Sequence, residues 1–235
     1  QQMALKNGSE LILAAGTVNA DQITMDKSAI DITGVGTLIA NKMTLNNTTL
    51  SLSGIQNEVT TLELDADTQP LDVTQNGVTV EVKDTLAMNG GTLQVNDGSK
   101  LTTNQMKLAN GSMVTVDGTN SSYTIKGTDN TVSGDAKIAA TNGGSVTLAE
   151  GAGIKAEADA NNKVKTIITA DANSKVDVTK GSLYIANAKK GDTVYDVSTA
   201  IQIGTEYKGN DFDNIYGDSR RTIAQKDANG NYTFK

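Results

Sequence analysis

One segment constrains the fold of this chain more than any other, because it contains the same unit twice. The unit GTVNADQITMDKSAIDITGV is followed at once by GTLIANKMTLNNTTLSLSGI, so that the repeat extends from Gly16 to Gly54. Apolar residues recur at the same positions of the two units; for example, Met43 holds the position in the second unit that Ile23 holds in the first. A fixed period near twenty residues is typical of stacked structural units, each of which buries its apolar side only against its neighbours.

Inside the unit, two short runs of alternating apolar and polar residues are separated by turn-forming residues such as Asn, Gly and Asp. The alternation predicts short half-buried strands, and the separators favour turns. The pattern recurs at Met3–Leu13, Leu86–Val95, Met106–Val116, Val146–Ala156 and Val176–Ile185. An antiparallel meander would also explain it, since Asn-Gly between apolar runs is a hairpin signal. The strict period and the longer separators favour stacked coils, in which like residues lie above like.

We therefore predict an all-β fold, a single-stranded parallel β-helix with an aromatic C-terminal cap, and we expect right-handed winding. The predicted shaft comprises residues 1–187 and the capping segment residues 188–235. Seven of the eight aromatic residues lie from Tyr184 onward, and both arginines lie in the capping segment. The open end of a solenoid exposes a strand edge and apolar core, which bulky terminal side chains can cover.

Composition excludes several classes of function. The chain has no His and no Cys, so the commonest general base and the usual metal-ligand sets are missing. The net charge of −7 argues against a nucleic-acid partner. No apolar run approaches the length of about 18 residues that spans a membrane. We predict a protein that is not an enzyme, with no catalytic residues, no cofactor and no metal.

The coils LAMNGGTLQV and MTLNNTTLSL, with the terminal stretches KKGDTVYDVSTAIQIG and NGNYTFK, resemble the passenger region of a Gram-negative autotransporter. The absence of Cys is consistent with this resemblance, because passengers cross the outer membrane unfolded. The resemblance implies a piece of a longer protein, secreted or displayed on the cell surface. Attachment to a membrane is expected only through a C-terminal β-barrel that this sequence does not include.

Residues of the capping segment are the candidates for ligand binding. Tyr207, Phe212 and Tyr216 would form a sugar-stacking platform if they were exposed, although the need for apolar bulk favours a place in the cap core. Arg220 would be the base of a polysaccharide lyase-like site beside Asp211 and Asp213, or else a surface arginine paired with a nearby Asp. The candidate ligand-binding residues are therefore Tyr207, Phe212, Tyr216 and Arg220.

Two groups of carboxylates are candidates for a calcium site or for an acid pair that cleaves glycosidic bonds. They are Asp65, Asp67 and Asp72 around Pro70, and Asp211, Asp213 and Asp218 near the C-terminus. No calcium-loop spacing accompanies either group, so solvated loop acids are the favoured interpretation. The twenty-residue rhythm breaks at Asp65–Val73, Asp117–Gly134 and Tyr207–Arg221, and recognition is expected there. We predict an irregular turn or an outward loop at the first break and a coil with long loops at the second.

The predicted function is structural and adhesive, through many weak contacts on the lateral faces and loops of a rigid shaft. The expected partner is a protein or glycan on a host or neighbouring cell, and self-association is also open. Two alternatives stay open at this point. One is a carbohydrate-active enzyme of the polysaccharide lyase type, and the other is a stalk or autochaperone segment without a ligand.

Overall fold

The computed structural model describes residues 1–32, 37–52, 56–65, 68, 71–73, 78–188, 191 and 195–235. The strands of the first half are β1 (Gln2–Lys6), β2 (Glu10–Leu13), β3 (Thr17–Asp26), β4 (Ala29–Ile32), β5 (Thr37–Asn46), β6 (Thr49–Leu52), β7 (Gln56–Asp65), β8 (Leu71–Val73), β9 (Thr79–Asn89), β10 (Thr92–Val95), β11 (Lys100–Ala109) and β12 (Met113–Asp117). Those of the second half are β13 (Ser122–Ile125), β14 (Asn130–Val132), β15 (Lys137–Thr141), β16 (Ser145–Leu148), β17 (Gly153–Ala156), β18 (Ile168–Ala170), β19 (Lys175–Asp177), β20 (Ser182–Ile185), β21 (Ile201–Ile203), β22 (Glu206–Tyr207), β23 (Asn214–Tyr216), β24 (Ala224–Lys226) and β25 (Tyr232–Phe234). Two 3-10 helices, Ser198–Ala200 and Gly209–Asp211, complete the described elements.

The strands form two long sheets that wind around one core, which confirms the predicted parallel β-helix. The larger sheet has the order β1-β3-β5-β7-β9-β11-β14-β17-β20-β23, and the second has the order β2-β4-β6-β8-β10-β12-β15-β18-β21-β22. Within them, the described pairs are parallel except β21 with β22. The right-handed winding stays a prediction.

The opening repeat pairs with itself, residue for residue. Thr17 of β3 lies opposite Thr37 of β5, and Ile23 lies opposite Met43 in the same ladder. The second sheet has the same register, with Ile30 of β4 opposite Leu50 of β6. A meander would pair the two runs of one unit antiparallel, whereas here each run pairs with its own copy in the next coil. The twenty-residue period therefore sets the register of the stack.

The coils change from two strands to three at β11. Leu101 pairs with Tyr123 of β13 and Leu108 pairs with Val132 of β14, so the single long strand is followed by two short ones. The side branch continues as β13, β16 and β19. The apolar residues of the second break, Tyr123, Ile125 and Val132, are buried, but the loops there are short. That part of the prediction is wrong: the long connections come later, at residues 157–167 and after Ile185.

Aliphatic side chains fill the interior of the shaft, with one aromatic among them. Met43, Leu45 and Val114 have no exposed surface, and Tyr123 is equally buried with its hydroxyl 2.7 Å from the Thr103 hydroxyl. Two asparagines also face inward. Asn57 accepts a hydrogen bond from the Leu38 amide at 2.8 Å. The second, Asn130, bonds to backbone atoms of three successive coils.

Turns between strands use the residues that tolerate a left-handed backbone. Asn47 has φ 43° and Asn110 has φ 52°, as the turn chemistry of the separators predicts. Asp65, at the first break, caps the neighbouring turn by accepting bonds from the Asn47 amide at 3.3 Å and the Thr68 hydroxyl at 2.8 Å. Residues 66–67 and 69–70 lie outside the described part of the chain, so the irregular turn or outward loop expected at Pro70 stays a prediction.

The aromatic cap is present at the C-terminal end. Phe234 is 1% exposed and contacts Tyr195 edge to face, with ring centroids 5.3 Å apart. Phe212 and Tyr232 are also buried and join the same core as the shaft. The two sheets continue past residue 188 through β21 and β23, so the boundary between 187 and 188 stays a prediction.

Candidate functional site

The three aromatic candidates occupy three different environments. Tyr207 is 52% exposed in β22, at the end of the second sheet. Phe212 is 6% exposed in the cap core, where no ligand can stack on it. Tyr216 lies in β23 of the larger sheet and stacks on Tyr184, with ring centroids 5.2 Å apart and planes inclined by 26°. The three side chains therefore lie in different parts of the structure. Phe212 is in the cap core, as the favoured interpretation predicts, and ligand binding by Tyr207 and Tyr216 stays a prediction.

Arg220 lies over a cleft of about 210 Å³ at the junction of shaft and cap. Its Nε donates a hydrogen bond to the Tyr184 hydroxyl at 2.6 Å, and its Nη2 donates to the Gly151 carbonyl at 3.0 Å. The cleft is lined by Thr128, Asp129, Asn130, Lys155, Tyr184, Asp218 and Arg220. We call this the cap cleft. It brings together a rigidly held guanidinium, a tyrosine and charged groups of both signs.

Strand register explains why these side chains converge. Lys155 of β17 lies opposite Tyr184 of β20, and Tyr184 lies opposite Tyr216 of β23. The three side chains therefore follow one another along a single column on the outer face of the larger sheet. Lys155 was not among the predicted site residues. The sequence around Lys155 has the pattern of an ordinary coil of the shaft. Only the strand register shows that Lys155 lies beside Tyr184.

The carboxylates predicted beside Arg220 are divided among other roles. Asp218 forms an ion pair with Lys155 at 2.7 Å. Asp213 accepts a bond from the Asn214 side-chain amide at 2.8 Å, while Asp211 ends a 3-10 helix. Neither of these two pairs with Arg220 among the described residues, so the lyase-like set of Asp211, Asp213 and Arg220 is not assembled. No group of three or more His, Cys, Asp or Glu in the described ranges can hold a metal ion.

A second surface feature lies where the coils carry their longest connections. The segment after β17 forms an antiparallel bridge of its own between Ala158 and Val164, and Lys163 forms a parallel bridge with Asp196 of the next coil. Insertions in repeat proteins commonly map to one face, often the binding face. We call this corner the loop ridge.

Two adjacent cavities of about 330 Å³ each flank the loop ridge and share Glu157, Asp159 and Lys165. The Lys165 ammonium lies 3.5 Å from Asp135 and 3.6 Å from Glu157. The pKa of Asp159 is lowered because its carboxylate accepts hydrogen bonds from the Lys163 and Asn161 amides. The carboxylates here are thus engaged by lysine and backbone donors, which gives the ridge a polar, solvated surface.

The middle of the shaft presents a shallow trough on the outer face of the larger sheet. The trough measures about 410 Å³, and small side chains such as Ala87 form part of its lining, between Glu63 and Lys107. Glu63 is paired with Lys42 at 3.0 Å. This surface is flat and of mixed charge, and it offers contact area without a catalytic arrangement.

Comparison with known proteins gives no relative for this chain. No protein-family model matches it, and no match was found among curated proteins or among solved structures. Within the described ranges, no helix has the length and apolar character needed to cross a membrane. The β-helix fold is established by the strand pairing. The resemblance to autotransporter passengers is a hypothesis that rests on the sequence motifs alone.

Proposed function

We propose that this chain is a structural and adhesive segment of an exported surface protein, in the manner of an autotransporter passenger. The observation that supports the proposal most is the pairing of a regular scaffold with two irregular surfaces, the cap cleft and the loop ridge. A parallel β-helix holds such surfaces at fixed spacing, because every coil is registered on the next. Loops carried by a rigid scaffold are where proteins commonly bind partners.

The proposed mechanism is recognition without chemistry. The trough, the loop ridge and the cap cleft supply contact area along one scaffold, and many weak contacts add up when they are made together. The partner is a protein or glycan on a host or neighbouring cell. Self-association of copies through the lateral faces belongs to the same proposal.

The test is binding of the purified chain to glycan and cell-surface protein arrays, followed by adhesion of beads that carry it to whole cells. We expect saturable binding that salt weakens in part, because the exposed surfaces are charged. Arrays and cells that stay blank at high protein concentration would contradict the proposal and favour a stalk or autochaperone segment. Surface display is tested separately: the gene product in its own cells should be accessible to added protease, and protection from protease would refute that part.

A carbohydrate-active enzyme is the second candidate, and the cap cleft is the observation that favours it. Arg220, the Tyr184 hydroxyl and Lys155 are the kinds of groups that can move a proton in an eliminating lyase. In that reaction a base takes the proton next to the sugar carboxylate, a carbon–carbon double bond forms, and the glycosidic oxygen leaves with a proton. Incubation with acidic polysaccharides and assay for unsaturated products decides the matter. An absence of products with every polysaccharide tried would refute the enzyme.

A further inference from the structure

Two hydrogen bonds to protein groups orient the Arg220 guanidinium, although the residue is exposed. Two of the five N–H donors of a guanidinium are used, one toward the Tyr184 hydroxyl at 2.6 Å and one toward the Gly151 carbonyl at 3.0 Å. Tyr184 is itself 6% exposed and stacked on Tyr216, so packing restrains the ring whose hydroxyl accepts the bond from the guanidinium. Preorganisation of this kind lowers the entropy that binding would otherwise cost.

The charge of Arg220 has no partner among the described residues. No carboxylate there lies within 4.0 Å of its guanidinium, whereas Lys155 is paired with Asp218 at 2.7 Å. A guanidinium binds carboxylates through two parallel hydrogen bonds. A held, unpaired guanidinium over a cleft of about 210 Å³ is suited to receive one carboxylate.

We propose that the cap cleft binds a carboxylated sugar, with the sugar carboxylate on Arg220; this rests on the proposed adhesive function and names a ligand class for it. The two acids that line the cleft decide between sugar and peptide. Asp129 is exposed and has no hydrogen-bond partner among the described residues, so it can accept bonds from sugar hydroxyls. Asp129 and Asp218 also repel ligands that carry many negative charges, which favours a sugar with a single carboxylate over an acidic peptide.

Tyr184 is a positioning residue in this site, since it acts through Arg220. The expected consequence is that its hydroxyl affects affinity although it does not carry the charge. Tyr184→Phe keeps the ring stacked on Tyr216 and removes the acceptor that orients Nε. Affinity should fall by less than in Arg220→Gln, because the guanidinium is still present but is no longer held.

The experiment measures binding of four probes to the whole chain by isothermal titration calorimetry. The probes are the methyl glycoside of galacturonic acid, its methyl ester, an oligosaccharide with one sialic acid and a glutamate-rich peptide. We expect binding of one or both carboxylated sugars and no measurable binding of the ester or the peptide. Whichever acidic sugar binds identifies the source of the carboxylate.

The neighbouring arginine is the matched control. Arg221 is exposed, and the hydrogen bond recorded for it is made by its backbone amide. Arg220→Gln should weaken binding about tenfold or more, as expected for loss of a charge-assisted hydrogen-bond pair. Arg221→Gln should bind as the parent does. Arg220→Lys, which keeps the charge and loses the planar fork, should also be weaker and serves as readout if Arg220→Gln fails to fold.

Three results would overturn the assignment of this site: equal binding of the ester, equal losses in Arg220→Gln and Arg221→Gln, or binding of the peptide in preference to the sugars. If none of the four probes binds, the carboxylated-sugar site is refuted as well. The adhesive function is judged separately, by cell adhesion of Arg220→Gln. If Arg220→Gln adheres as well as the parent, the cap cleft is not the adhesive surface, but the proposed adhesive function is not contradicted.

Discussion

The sharpest test of the stacked-coil architecture is Asn130→Ala. Asn130 is 1% exposed and is the first residue of β14. Its Oδ1 accepts a bond from the Met106 amide at 2.8 Å, and its Nδ2 donates to the Gly153 carbonyl at 2.9 Å. It thereby ties the preceding and following coils to its own. Alanine would leave both backbone groups buried without a partner, at about 1–3 kcal/mol each. We expect the free energy of unfolding to fall by about 2–6 kcal/mol.

The measurement is urea unfolding followed by far-UV circular dichroism, with Asn173→Ala as the matched control. Asn173 is exposed, and the hydrogen bond recorded for it is made by its backbone amide. Its replacement should stay within about 0.5 kcal/mol of the parent. Hydrogen exchange gives a second readout, because the Met106 amide should lose protection in Asn130→Ala. Equal midpoints for the two variants, with the Met106 amide still protected, would refute the reasoning.

Three further predictions concern a close backbone contact and two titrating side chains. Gly144→Ala should lower the urea midpoint by the equivalent of about 1–3 kcal/mol, because the new Cβ would lie 2.2 Å from the Val116 carbonyl of the coil before. Burial raises the pKa of Tyr123, so the folded chain holds this proton more tightly and stability should fall as pH rises above about 10; Tyr123→Phe should flatten that fall in a series of midpoints against pH. Hydrogen bonds from the Asn142 amide and the Ser174 side chain lower the pKa of Asp171, so its contribution is present above pH 3.8 and lost below it; Asp171→Asn should reduce the acid dependence of the melting temperature.

The fold could be predicted because the structural repeat of a solenoid appears in the sequence as a repeat of the same period. When each coil stacks on the next, one column of the structure receives one residue from every repeat, so Thr24 returns as Thr44 in both sequence and ladder. The alternation of apolar residues fixes which side chains face inward. The turns were also foreseeable, since the Asn residues of the separators are among the few types that tolerate a positive φ.

The inward asparagines could not be predicted, for a reason of composition. Asn is abundant in the turns of this chain, and Asn130 lies in a stretch of Gly, Asn, Ser and Thr that reads as a surface loop. Nothing in the local pattern distinguishes an asparagine that bridges three coils from one that faces solvent. Its role depends on the positions of Met106 and Gly153, which belong to other coils.

The cap cleft could be predicted only in part. Arg220 stood out because arginine is rare in this chain, but its partners lie 36 and 69 residues away. Those separations include the long connections after β17 and β20, whose lengths obey no period. Once the twenty-residue rhythm is lost, sequence spacing no longer gives the position of a side chain along the shaft.

Stacking also explains why the cap cleft forms where it does. In a parallel ladder each outward side chain has a neighbour about 4.8 Å above and below it, so a column of similar side chains makes a closed surface. A cleft opens where the side chains of a column change abruptly in length. The column that runs from Thr131 through Lys155 to Tyr184 makes this change, and it does so where the cap brings Arg220 across from another coil. The regular coils supply the rigidity, and the departure from regularity supplies the surface on which a ligand can be recognised.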